Sequence, residues 1–489
     1  MGSAEQRFAS ADAVLVDFEL DAKVTAETID PRRFRQLIDT QLMFLVGQLN
    51  GDRSVGRHGR AQYSVTTFGA DPTVPGAYAF TYHARIPVAW GGGPPPVDYV
   101  VTLPARVGEA DQIAFAEKYA STCTDPEGGV AGGADAGRMF LFYRPQRAGC
   151  TLSPDDVVTA TARVTASAEN SVGKYPEYHL AWEDDVLDVV TVFGMELDDG
   201  GADDGGVRAY EAFLESSETY LRSLQSEPSR ILVEHNDAAA ERRTGRLVVD
   251  LPGGRKVRIE AVLVPPHLAE ERTWFDDWYE ARTPDADLLI YSGHAGLGAN
   301  VRALMTKGAF RRGKYVVAAV NGCDTLAYLD RTLGDRFSAL NPDDPDGTKY
   351  LDTVSNVLGG YFDTGDETSL HLVRAFVEAL HGVPRTYAKV FEDVDPTQII
   401  VVTGEEDNAF RPGMIKAPAA PEPAPAAPTS DRADPVEPAP KREYVAHDDR
   451  STTACVAARG RPKDGALVLF TGVLVAVVHR SRRRLRVRP

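Results

Sequence analysis

Two residues in this sequence have the type and setting for covalent chemistry. His294 lies in the run Asp-Leu-Leu-Ile-Tyr-Ser-Gly-His-Ala-Gly, residues 287–296, and Cys323 in Lys-Tyr-Val-Val-Ala-Ala-Val-Asn-Gly-Cys-Asp-Thr, residues 314–325. Each sits just past a short apolar run of strand type. A thiolate is the attacking form of cysteine, and only a few per cent of a free thiol is ionised at neutral pH. A neighbouring imidazole takes that proton and later gives it to a leaving amine. Gly293, Ala295 and Gly322 are small enough to let a substrate carbonyl come close to the backbone. The N–H groups of Ala295 and Cys323 would then form an oxyanion hole. Cys323 also precedes an expected helix, whose N-terminus favours a thiolate. Taken singly, a cysteine or histidine at a strand end is ordinary core. The pair, at two consecutive strand ends, points to nucleophilic catalysis.

The elements that must position the pair come from residues 207–414. There strands and helices alternate, which predicts an α/β domain with a mostly parallel sheet. Helices are expected at 207–224, 267–282, 299–307, 325–332, 348–360 and 368–382. Strands are expected at 230–234, 246–250, 257–264, 287–291, 315–320 and 398–402. Ligands bind beyond the C-terminal ends of such strands. One crossover helix separates the two loaded strands, so His294 is expected to face Cys323 across the sheet edge.

The preceding block, residues 12–195, reads as an α+β domain of mostly antiparallel strands. Strands are expected at 12–20, 62–68, 77–90, 97–103, 139–143, 157–166 and 187–193. A helix is expected over Arg32–Leu49, with Phe34, Leu37, Ile38, Leu42, Leu45 and Leu49 on one face. His58, His83 and His179 are scattered and read as surface or packed residues. The acidic, Gly-rich stretch 196–206 reads as a linker between the domains, its spacing unlike an EF-hand loop.

The motifs "YSGHAG" and "NGCDT", with His before Cys by 29 positions, resemble the caspase-like cysteine peptidases, and among them the gingipain and clostripain branch. The resemblance covers roughly residues 228–410. It implies a caspase-like α/β fold, His294 as general acid and base, Cys323 as nucleophile, and a protein or peptide substrate. The family has Gly after the His where this chain has Ala295, and a methyl there crowds the site if the turn needs a positive φ. A catalytically inactive surface binding protein on the same fold is therefore the alternative. By analogy with the Arg/Lys-specific branches, Glu405, Glu406 and Asp407, after the last strand, would form an acidic specificity pocket on the dyad's sheet edge.

Other candidates are weaker. Asn321 either orients the dyad or caps its turn, and Asp324 is expected to cap the following helix. The carboxylates of 341–352 suggest calcium, but a turn and a capped helix explain them more simply. Gly293, Gly296 and Gly298 are in the wrong order for a dinucleotide loop, and no P-loop Lys-Ser/Thr follows. Trp274, Trp278 and Tyr279 have core spacing on one helix. No cofactor and no other metal site is expected.

Composition sets the outer limits. The chain has 489 residues, a net charge of −18 and four cysteines, which excludes a disulfide scaffold and argues against nucleic acid as partner. Cys123 and Cys150 would pair in an exported protein, where closing their loop stabilises by about 3–4 kcal/mol. In a cytoplasmic protein they would be ordinary thiols. Residues 417–450 read as a disordered Pro-rich stalk, with eight prolines in 417–440. Residues 455–489 read as a membrane tail: Cys455, an apolar run from Gly465 to Val478, then six arginines from Arg480 to Arg488. That order is similar to the C-terminal sorting tails of myxobacterial surface proteins, with Ala454 where the pattern has Gly, and implies that Cys455 is a processing point. Arginines stay cytoplasmic, so the domains would lie across the membrane at the cell surface. No signal peptide is visible, so either the true start lies upstream or the tail is a weak cytoplasmic anchor.

Overall fold

Residues with apolar groups on alternate positions sort into two sheets, whose cores meet in a shared cluster. The computed structural model describes residues 13–415, apart from 28–29, 126–135, 199, 225–231, 237–242, 271–272 and 396–397. The Pro-rich stalk, Cys455 and the 455–489 tail therefore lie outside the described residues. Among the described residues no helix is long and apolar enough to cross a membrane.

The first part runs β1 (Val14–Ala26), α1 (Pro31–Asn50), β2 (Ser54–Gly56), β3 (Gln62–Ala70), β4 (Tyr78–Trp90), β5 (Asp98–Pro104), α2 (Glu109–Cys123), α3 (Met139–Phe142) and β6 (Val157–Ala166). Its strands form an antiparallel sheet in the order β2-β4-β1-β6-β5, with β3 also on β4. The apolar face of α1 (Ile38, Leu42, Leu45 and Leu49) is buried against this sheet with Phe18, Phe80 and Val101. The expected strand at 139–143 is instead the one-turn helix α3, because five apolar residues in a row carry no period that separates a buried strand from a buried helix. It packs on α1 at Gly47, where any Cβ would collide with the backbone of Phe140 and Tyr143.

The second part runs α4 (Tyr178–Ala181), β7 (Val186–Gly194), α5 (Gly205–Ser223), β8 (Leu232–Asn236), β9 (Arg243–Asp250), β10 (Lys256–Val264), α6 (Trp274–Glu280), β11 (Leu288–Ser292), α7 (Ala299–Thr306), β12 (Val316–Asn321), α8 (Thr325–Tyr328), α9 (Thr332–Leu340), β13 (Leu351–Asn356), α10 (Gly365–Leu380), α11 (Tyr387–Val390) and β14 (Ile400–Thr403). The sheet order is β14-β13-β12-β11-β7-β10-β9-β8. The five central strands, β13 to β10, are parallel; β14 and β9 run against them at the two sides, and β8 pairs antiparallel with β9. The chain is thus mixed α/β with two sheets.

Strand β7 corrects the expected organisation. Residues 187–193 were to belong with the N-terminal block, but β7 pairs with β10 and β11 at the centre of the second sheet. Leu187, Val189 and Phe193 face α5 and α10, while Val190 and Val192 face the opposite core. A strand buried on both faces reads as a continuous apolar run and carries no mark of which sheet it joins. A second correction is β13, which stands where a helix was expected at 348–360. Its sequence Leu-Asp-Thr-Val-Ser-Asn is polar, yet all six residues are buried. Asp352, Thr353 and Asn356 find hydrogen-bond partners there, so polarity did not mean a solvent face.

The two parts share a core. Leu15, Val46, Val55, Ala89 and Leu141 of the first pack in one cluster with Leu326, Ala327 and Leu329 of the second. Cys123 and Cys150 form a disulfide that ties the end of α2 to the chain beyond α3. Replacing both by alanine is expected to lower stability by about 3 kcal/mol through the freed loop of the unfolded chain. Urea unfolding of the double variant measures it, and a loss below about 1 kcal/mol would contradict the loop-closure account.

Candidate active site

Register lays out the site. Ser292 on β11 pairs with Phe193 on β7 and with Asn321 on β12. His294 and Cys323 each follow that level by two residues, so they leave the sheet at one height on adjacent strands. The Gly293 N–H donates to the Asn321 carbonyl at 3.1 Å. The backbones are close enough here that side chains are excluded. A Cβ on Gly322 would lie 2.5 Å from the Gly293 oxygen, and one on Gly293 would lie 3.0 Å from Gly194 Cα.

His294 is 5% exposed and Cys323 9%. The His294 Nε2 lies 3.0 Å from the carbonyl oxygen of Glu196. A carbonyl only accepts, so Nε2 carries the proton and the neutral ring keeps its lone pair on Nδ1. The Phe362 ring stands edge-on to the imidazole, with centroids 4.9 Å apart. The Cys323 thiol donates weakly to the Gly360 carbonyl at 3.8 Å. Gly360 and Phe362 belong to the loop between β13 and α10, which closes over the strand ends.

Glu196 opens the stretch expected to be a solvated linker. Because β7 is parallel to β11, residues 196–198 and 200–204 instead lie on the same sheet edge as His294. Asp204 organises them. Its carboxylate accepts the N–H groups of Glu196, Leu197, Gly206 and Val207 at 2.8–3.0 Å. It does so as the N-cap of α5, where orphan donors and the helix dipole favour a negative charge. The Asp-Gly-Gly before a helical period was a legible cap signal, and sequence reasoning missed its role by assigning β7 to the wrong sheet.

The remaining site expectations divide. Ala295 adopts φ −65° and ψ −22°, so its methyl brings no backbone strain, and the left-handed positions fall on Gly296, Leu297 and Gly298. Helix α8 is a single turn, shorter than the expected 325–332, so its dipole offers Cys323 little. Asp324 occupies the N-cap position but makes no capping bond. Its carboxylate accepts from the Asn50 amide at 3.0 Å. Asn321 is buried, with its Oδ1 unpartnered. Of the aromatic helix positions, Tyr279 is buried, and Trp274 and Trp278 are partly so.

Glu405, Glu406 and Asp407 are not on the dyad's edge. Strand β14 is antiparallel, and Thr403 pairs with Thr353 near the start of β13. The triplet therefore emerges at the opposite edge, a strand length of about 17 Å away. A local pattern does not encode strand direction, which is why the expectation failed. Glu405 instead accepts from Ser171 at 2.8 Å, Glu406 from the Gly404 N–H at 3.0 Å, and Asp407 from Thr348 at 2.6 Å. Lys174 donates to the Glu406 and Asn408 carbonyls at 2.8 Å. This cluster docks the segment that joins the two parts. Asp352 lies beneath it and accepts from Tyr315, Tyr387 and Asn408.

Among the described residues no group of three or more His, Cys, Asp or Glu could hold a metal ion. The carboxylates of 341–352 have separate partners: Asp343 pairs with Lys349, Asp344 accepts the Gly347 and Thr348 N–H groups, and Asp352 takes the two tyrosines. His83 pairs with Asp21 and His179 with Glu177. No protein-family model matches the chain, and no curated protein matches it in sequence.

Burial pushes the Glu405 carboxyl up to about 8 and the Asp352 carboxyl up to about 7. The native state therefore holds protons that the unfolded chain releases between about pH 4 and pH 8. Stability from these groups is full below that window and is lost as pH rises through it. The melting temperature is expected to fall from pH 5 to pH 8.5, with Glu405→Gln flattening the decline. Equal slopes for wild type and variant would contradict this.

Proposed function

We propose that the chain is a cysteine endopeptidase of the caspase-like type, nearest the gingipain and clostripain branch, with His294 and Cys323 as its dyad. The observation that carries the reading is the shared register, which sets the two residues side by side beyond the C-terminal ends of neighbouring parallel strands.

The reaction follows from the tautomer. The lone pair on His294 Nδ1 takes the Cys323 proton, and the thiolate attacks the substrate carbonyl carbon. The N–H groups of Ala295 and Cys323 hold the oxyanion. As the C–N bond breaks, the imidazolium gives its proton to the leaving amine. Water, deprotonated by His294, then hydrolyses the thioester and frees the thiol. Throughout, the Glu196 carbonyl holds the ring through Nε2–H and fixes its orientation.

The substrate is a protein or peptide strand lying along the sheet edge, and the loop bearing Gly360 and Phe362 moves aside to admit it. The Cys455, apolar and Arg-rich order supports a surface protein anchored by its C-terminus. The disulfide fits an oxidising compartment. The second reading is a binding protein without catalysis, and the burial of both dyad side chains under that loop favours it.

A pool of fluorogenic peptides and a thiol-directed probe separate the two. Wild type is expected to cleave and to label at Cys323. His294→Ala should lower kcat by about 10³-fold or more, as loss of a base does in acyl transfer, with a melting temperature within a few degrees of wild type. Labelling that is the same in wild type and Cys323→Ala, with no cleavage, would leave only the binding protein.

A further inference from the structure

The N-terminal part reaches the residue that follows the proposed nucleophile. Helix α1 ends at Asn50, whose amide Nδ2 donates to Asp324 Oδ1 at 3.0 Å. Asp324 is 4% exposed and left-handed, at φ 52° and ψ 33°. Aspartate tolerates that region better than most residues but still needs to be held there. Its own N–H donates to the Leu358 carbonyl at 3.2 Å, at the start of the loop that covers the thiol. One residue therefore joins three things: the Cys323 turn, the covering loop and the N-terminal part.

The first part presses on this turn at other points too. The positive charge of Arg144 attracts the Asp324 carboxylate. Arg144 is itself fixed, donating to the Gly47 carbonyl and to Asp125, with its N–H on the Cys123 carbonyl. Further along, the Arg57 guanidinium donates to the Leu329 carbonyl at 3.4 Å. Gly59 has no side chain because a Cβ there would lie 2.8 Å from Asp330 Cβ.

We propose that Asn50 is a positioning residue for Cys323, and that the N-terminal part is a fixed component of the nucleophile's mount rather than a removable prosegment. The inference rests on the peptidase reading. Without the Asn50 amide, a buried carboxylate loses its donor and turns towards water. Asp324 then leaves the left-handed region and swings the adjoining Cys323 peptide away from His294. The carboxamide of Asn50 touches neither the substrate path nor the thiol; its effect passes through Asp324.

The test is the rate at which iodoacetamide alkylates Cys323 in the full chain. Mass spectrometry of the Cys323 peptide keeps Cys455 separate. Wild type is expected to react quickly at pH 6.5 because His294 supports the thiolate. Asn50→Ala should react at least tenfold more slowly, with a pH profile moved towards that of an ordinary thiol, near about 8.5. Combining Asn50→Asp with Asp324→Asn exchanges donor and acceptor and should restore at least half the rate, which loosened packing alone would not allow. A fast wild-type profile lost in His294→Ala but kept in Asn50→Ala, or no recovery in the exchanged pair, overturns the positioning role and spares the peptidase reading. An ordinary wild-type profile that His294→Ala leaves unchanged sinks both.

Discussion

Bare backbone at the strand ends is the constraint on which this structure turns. Gly194, Gly293 and Gly322 end three neighbouring parallel strands, and Gly360 closes on the last of them from a loop. A Cβ on Gly360 would lie 3.0 Å from Gly322 Cα, as tight as the contact of Gly293 with Gly194. Well-packed interiors absorb such collisions only by shifting whole segments. With the side chains gone, the ends converge and the next residues on two of them, His294 and Cys323, emerge together. That these two residues leave the sheet at one height is thus set by main-chain packing.

Around that point the polar groups are arranged so that each loop has an anchor of its own. Asp204 gathers four N–H groups and fixes the loop that presents the Glu196 carbonyl. Asp324 takes its donor from the N-terminal part. The segment between the two parts is docked by Glu405, Asn408 and Lys174 at the far edge of the sheet. Buried carboxylates are expensive unless they are hydrogen-bonded. Placing them where loops must be held turns that cost into geometry, since each loop has one conformation that satisfies its acid.

How much of this was legible in the sequence varied with the kind of information. The runs at 287–291 and 315–320 read as strands because they are apolar, short and bounded by small polar turns, and both form. The strand-end positions of His294 and Cys323 could be found from them. Strand β13 could not, because Leu-Asp-Thr-Val-Ser-Asn is polar yet buried, with Asp352, Thr353 and Asn356 paired inside the protein. The sheet that β7 joins and the direction of β14 depend on long-range pairing, to which a local pattern is blind. Hence the 196–206 loop was read as a linker, and Glu405 to Asp407 were placed on the wrong edge. The Asn50–Asp324 bond spans 274 residues of sequence and joins two unremarkable polar positions, so nothing in the chain announces it.

The loop over His294 and Cys323 is tied at both of its ends. Its start is tied by the Val357 N–H on the Ile399 carbonyl and by the Asp324 N–H on Leu358. Its end is tied by Gln398 on Thr364. Between these ties, the Gly360 carbonyl accepts from the Cys323 thiol at 3.8 Å and the Phe362 ring stands edge-on to His294 at 4.9 Å. Both contacts are weak, since sulfur is a poor donor and an edge contact between rings is worth about 1 kcal/mol. The Glu196 carbonyl is fixed by Asp204, the N-cap of α5. The imidazole is therefore oriented from the β7 side and covered from the β13 side.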